Sequence, residues 1–249
     1  MKKILILSGL AAGGLLLLSA HKIGDELVRN GGFEVVEGKV YTFDQAKLAV
    51  GWENTNLGLS EVFDKSAPLK TVGIPANEYG AMDPKEGDHY AGFFAWKDDM
   101  RRNWGAGDSD DPFEPGWNVY SEYIQSELLE PLVEGRSYEL SFWVALSGNS
   151  DRAVSGIGAY CSPYAIHENN RRFLQERPSA STDKILNSKS EWVQVKEIFQ
   201  ADGGEKYIIV GVYPYVGFDT QKMVVDYDNQ YAYYYLDGIS LKQVEPPQD

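Results

Sequence analysis

The stretch Ser137-Tyr138-Glu139-Leu140-Ser141-Phe142-Trp143-Val144-Ala145-Leu146 decides the fold class. Successive side chains of an extended chain point to opposite faces, so Tyr138, Leu140, Phe142, Val144 and Leu146 share one side and Glu139, Ser141, Trp143 and Ala145 the other. Such alternation describes a half-buried sheet strand. Working outward, the same pattern gives strands at 89–94, 119–127, 153–161, 191–200, 206–212 and 231–244, with Gly, Asn, Asp and Pro between them. Ala201-Asp202-Gly203-Gly204 supplies positive-φ positions, which predicts a hairpin joining the strands on either side. Only 167–176 and 182–188 read as helices, both short. The expected fold is an all-β antiparallel β-sandwich with long loops and one or two short helices.

Charge and composition remove several function classes. The 249 residues carry 23 Lys and Arg against 37 Asp and Glu, a net charge of -14. Each phosphate contact needs a cation, so no nucleic-acid partner is expected. One cysteine excludes a disulfide framework, and three His at 21, 89 and 167 are not spaced as zinc ligands. Cys161 reads as a buried apolar thiol, free Cys being among the most buried residue types. An aromatic content of 13% is too high for disorder.

Residues 1–20 read as a secretory signal peptide: Lys2 and Lys3, an apolar run from Ile4 to Leu18, and Ala20 at a small-residue cleavage point. The run is shorter than the roughly 20 residues of a membrane-spanning helix. No cysteine follows it, which excludes lipoprotein processing. Loss of Lys2 and Lys3 takes the charge from -14 to -16. The expected mature chain is a single domain over 21–245 with a tail at 246–249 and no transmembrane segment. It is exported to the periplasm, the outer-membrane surface or the medium.

Glu26-Leu27-Val28-Arg29-Asn30-Gly31-Gly32-Phe33-Glu34 near the mature start and Tyr233-Tyr234-Tyr235-Leu236-Asp237-Gly238-Ile239-Ser240-Leu241 near the end resemble the opening and closing motifs of galactose-binding-like jelly rolls, a group that includes several carbohydrate-binding modules. Gly87-Asp88-His89-Tyr90-Ala91-Gly92-Phe93 and Tyr120 to Leu128, followed by Pro131, Leu132, Gly135 and Tyr138, resemble the jelly-roll domain of exported Bacteroidetes-type proteins, often found beside an OmpA-like domain. The resemblance implies a jelly-roll fold and glycan binding. It also implies a structural calcium where the first and last strands meet, with Glu34 and Asp237 as its carboxylates. Hard oxygens from both chain ends suit Ca²⁺; equally, Glu34 and Asp237 can serve turn and bulge hydrogen bonds with no metal.

Sugar rings stack on exposed aromatic faces. The candidate ligand-binding residues are therefore Trp96, Trp104, Trp117 and Arg101 in the 95–118 segment, with Tyr213 and Tyr215 at the end of a strand. Each of these Trp residues can instead plug its loop onto the sheet. Trp52, Trp143 and Trp192 read as core. Tyr231, Tyr233 and Tyr235 share a sheet face and are expected to pack beneath a loop with their hydroxyls partnered. Asp108, Asp110, Asp111 and Glu114, like Asp226 and Asp228, lack EF-hand spacing and read as solvated loops. The 65–88 and 97–118 segments are long enough to be functional or mobile.

No G-x-S-x-G elbow, H-E-x-x-H or phosphate-cradling glycine loop is present, so no catalytic residue is assigned and an enzyme is not expected. Composition leaves open the paired carboxylates of a glycoside hydrolase. The expected function is a secreted, non-catalytic binding domain for glycan at the bacterial surface. The alternative is a protein-binding accessory or structural subunit of an outer-membrane or cell-surface assembly.

Overall fold

A computed structural model describes residues 23–98, 120–215, 217–224 and 230–246. Among these residues fourteen strands form: β1 Trp52–Asn54, β2 Glu61–Asp64, β3 Ala76–Asn77, β4 Gly80–Ala81, β5 His89–Lys97, β6 Ile124–Glu127 and β7 Ser137–Leu146. They continue as β8 Arg152–Val154, β9 Ile157–Ser162, β10 Ala180–Ser181, β11 Val193–Gln200, β12 Tyr207–Val212, β13 Thr220–Lys222 and β14 Tyr231–Val244. Two five-stranded sheets carry the fold, in the orders β11-β7-β14-β5-β2 and β1-β6-β12-β9-β10, with every pairing antiparallel. From β5 onward the chain passes repeatedly from one sheet to the other, which is jelly-roll winding. Among the described residues no helix is long and apolar enough to cross a membrane.

The deciding stretch is β7 over its full length, paired with β14 on one side and β11 on the other. Tyr138, Leu140, Phe142, Val144 and Leu146 are all buried, while Glu139 and Trp143 on the opposite face are half-buried. Leu236 of β14, Phe93 of β5 and Ile208 and Val210 of β12 belong to the same core as β7. Fully burying each aliphatic or aromatic side chain here contributes about 1.5 to 3 kcal/mol.

Both sheets are also covered on the outside, and the chain's many tyrosines serve there. Tyr233 and Tyr235 of β14 are sealed beneath the 65–88 segment: Tyr79 stacks on Tyr233 with ring centroids 3.7 Å apart, and Tyr235 donates its hydroxyl to Asn77 Oδ1 at 2.8 Å. That long segment is thus a packed cover. Ile166 and Leu174 cover the other sheet, joining Tyr123, Ile209 and Tyr213 in a second apolar cluster.

Four expectations are corrected. Neither 167–176 nor 182–188 is helical; both run as bends over the sandwich, held by long-range bonds such as Leu174 N–H to the Tyr123 hydroxyl at 3.0 Å. Ala201 to Gly204 does not close a hairpin, because β11 and β12 lie in different sheets. Instead this segment crosses the sandwich beside residues 132–136, with Ala201 N–H donating to Arg136 O and Gly204 N–H to Leu132 O, each at 2.9 Å. Gly203 is required there: its φ is +94°, and a Cβ would lie 2.9 Å from the Glu134 nitrogen. The predicted 153–161 strand is two strands, broken where Gly156 takes φ +78°. Trp143 and Trp192, expected in the core, are half-buried, and only Trp52 of the three is fully covered.

Candidate functional site

The predicted ligand residues separate sharply. Trp96 is 1% exposed and Tyr213 1% exposed, so neither ring can meet a sugar, and both assignments are corrected. Trp96 lies in β5, the next-to-edge strand of its sheet, and packs in the main core. Tyr213 turns back onto its own strand and donates its hydroxyl to Ile209 O at 2.9 Å. Trp104, Trp117 and Arg101 lie outside the described residues, as do Asp108 to Glu114, Asp226, Asp228 and the 1–20 segment. Tyr215 remains, 57% exposed.

Tyr215 stands at a groove of about 830 Å³ on one open side of the sandwich. The opening follows from strand lengths. β10 is only two residues long and covers Gly158 and Ala159 of β9, leaving Tyr160 to Ser162 beyond its reach. Opposite it, β11 is the edge of the other sheet. Glu197 of β11 pairs with Leu140 and so lies on the core-facing side of the strand, yet it is exposed. A charge directed inward on an edge strand discourages further strand pairing and keeps the gap wet.

The groove walls mix ring faces with hydrogen-bonding groups. Tyr160, Phe199 and Tyr215 supply the rings, and the Arg177 guanidinium lies 5.9 Å from the Tyr215 ring centroid. Ser179 donates polarity on one wall and Gln200 on the other. Cys161, also in the wall, is buried, and burial with the nearby Glu205 charge pushes its thiol up to about 12. The inert thiol agrees with its expected role. The sequence contains a trace of this site only in Tyr215; the rest depends on β9, β10 and β11 being brought together.

The two terminal carboxylates are close neighbours, as the resemblance implies. Glu34 accepts N–H bonds from Asp88 and His89, each at 3.0 Å, and its Oε2 lies 3.1 Å from His89 Nδ1. Asp237, fully buried, accepts from Lys85 N–H at 2.9 Å and Gly238 N–H at 2.7 Å. Burial pushes Asp237 up to about 7, and the Glu86 charge adds to the rise. A Cβ on Gly32 would lie 3.3 Å from Glu86 Oε1, 3.7 Å from Asp237 Oδ1 and 3.9 Å from Glu34 Cγ, so three acids converge on a glycine. As they are arranged, no three His, Cys, Asp or Glu side chains among the described residues form a metal cage. Glu34 and Asp237 are both engaged with N–H donors, and Glu86 Oε1 faces the same glycine.

A different pair of acids, Glu61 and Glu122, is sealed among rings on the outer side of β2, β5 and β14. Tyr233 donates to Glu61 Oε2 at 2.5 Å and Tyr79 to Oε1 at 3.2 Å. Glu122 accepts from the Tyr120 hydroxyl at 2.5 Å and from Phe94 N–H at 2.8 Å. Burial raises both carboxyls, Glu122 to about 7, and in Glu61 the Glu122 charge raises the value further. Neither lines the groove.

An antiparallel jelly-roll sandwich with an open, ring-bearing groove is the class that fold and site define. No family model and no curated protein matches the chain. Among solved structures it is similar to the CBM22-1 xylan-binding domain of Paenibacillus barcinonensis Xyn10C, at 14% identity and a TM-score of 0.46, covering 92% of this chain and 100% of that one. The tandem CBM22-1-CBM22-2 domain of the same protein gives 12% identity, a TM-score of 0.48, and coverage of 92% and 49%. The K1 cleaved adhesin domain of Lys-gingipain from Porphyromonas gingivalis W83 gives 14%, 0.38, and 86% and 96%. The fold assignment rests on this chain's own strand pairing.

Proposed function

We propose that this protein is an exported, non-catalytic glycan-binding module of the bacterial surface or periplasm, and that the groove between β10 and β11 is its ligand site. The observation that carries the reading is Tyr215, an exposed ring beside an open groove whose walls offer hydroxyl, amide and guanidinium groups. A sugar needs that pairing, an apolar face for its C–H side and hydrogen-bond partners for its rim. The raised carboxyls Glu61, Glu122 and Asp237 all lie outside the groove. Export is supported by the basic and apolar pattern of residues 2–18.

A glycan array with the purified protein tests the reading. Binding that is lost in Tyr215→Ala, with an unchanged melting temperature, is the expected result. Silence across the array from a folded sample would overturn it and favour the protein-assembly alternative.

A calcium ion held by Asp237 and Glu34, with Glu86 beside them, is proposed as a structural element of the same module. A cation would relieve the cost of burying Asp237 next to Glu86. The melting temperature should rise with calcium and fall with EGTA, and an identical melt under both conditions would remove the ion from the proposal.

A further inference from the structure

We propose that the groove selects saccharides bearing free amino groups, such as a glucosamine polymer, over neutral and uronate-containing ones. This inference rests on the groove being a saccharide site. Among the described residues, Glu176, Glu197, Asp202 and Glu205 line it against a single cation, Arg177, and no lysine joins them. The Glu176 charge reaches the ring wall, where after burial it is the next cause raising Tyr160.

Glu205 gives an independent reason. It is 7% exposed, lines the groove, and uses Oε1 to accept Asp202 N–H at 2.8 Å, while Oε2 is buried with no hydrogen-bond partner. A buried carboxylate oxygen without a donor is costly, and binding a donor there recovers that cost. An ammonium group supplies three N–H donors and a positive charge together. A neutral hydroxyl supplies one donor and no charge, and a uronate adds a fifth carboxylate to the four present. The self-repelling lining therefore becomes favourable only when a cationic ligand enters it.

Calorimetric titration of the protein at pH 6 with three probes tests this: a glucosamine oligomer, its fully N-acetylated counterpart, and an oligogalacturonate. The glucosamine oligomer should bind at least about tenfold more tightly than the N-acetylated one, equivalent to about 1.4 kcal/mol. That margin should shrink in about 1 M salt, where the Debye length is about 3 Å. It should also shrink in Glu205→Gln, and in Glu197→Gln at an exposed strand position, with the melting temperature of each variant measured alongside. Equal or tighter binding of the N-acetylated oligomer, or a preference that survives both substitutions, would overturn the amino-sugar selectivity while leaving a saccharide site. If none of the three probes binds and the array is silent, the saccharide reading falls and this inference with it.

Discussion

Glu122→Gln is expected to flatten the pH dependence of stability. Glu122 is fully buried, and burial lifts its carboxyl from about 4.5 in an open chain to about 7 in the folded protein. The native state therefore holds the proton more tightly than the unfolded state does. Its contribution is fully present below about 4.5 and is lost as pH rises through about 7, where folding must bury the charge. At about 1.4 kcal/mol per decade of proton affinity, the difference amounts to about 3 kcal/mol. Urea unfolding followed by aromatic fluorescence, extrapolated to water at several pH values from 5 to 9, measures it. The wild type should lose stability across that range, and the Gln variant should lose about 3 kcal/mol less. Gln cannot accept through both termini, and the Phe94 N–H and Tyr120 hydroxyl both bond to Glu122, so its stability should be lower at acid pH by about 1 to 3 kcal/mol. The slope, not the level, is thus the readout. Equal slopes in the two proteins would refute the argument that Glu122 is buried and neutral below pH 7.

Tyr233→Phe should destabilise the protein by about 1 to 3 kcal/mol in urea titrations, because Glu61 Oε2 loses its donor while remaining buried. Gly203→Ala should cost more than about 1 kcal/mol by the same assay, since the residue has φ +94° and its Cβ would press on the Glu134 backbone; wild-type stability would show that the crossing relaxes freely. Cys161 should resist thiol reagents at pH 8 in the native protein and react on unfolding, its thiol being buried and held up to about 12. Rapid native labelling would contradict its burial.

Local alternation made the strands legible. Ser137–Leu146 and Tyr231–Val244 are strands over the whole lengths their patterns indicate, and the face shared by Tyr233 and Tyr235 follows from period two alone. The two motifs at the chain ends indicated that Glu34 and Asp237 would approach one another, and both now lie around Gly32. The sequence could also mark Ala201 to Gly204 as a sharp connection, since glycine preference is a property of the local backbone. It could not say whether the chain returned along the same sheet or crossed to the other. That choice is made by β12, which pairs with β6 and β9 of the other sheet and leaves β11 as an edge. Trp96 and Tyr215 show the same division. Both read as exposed aromatics near a strand end, yet Trp96 is sealed and Tyr215 stands open, because Trp96 lies within β5 and packs in the main core whereas Tyr215 lies past the end of β12. Alternation separates a strand's two faces but does not record what covers each. Burial is decided by the second layer, and the groove, lined from β9, β10 and β11, belongs to no stretch of sequence by itself.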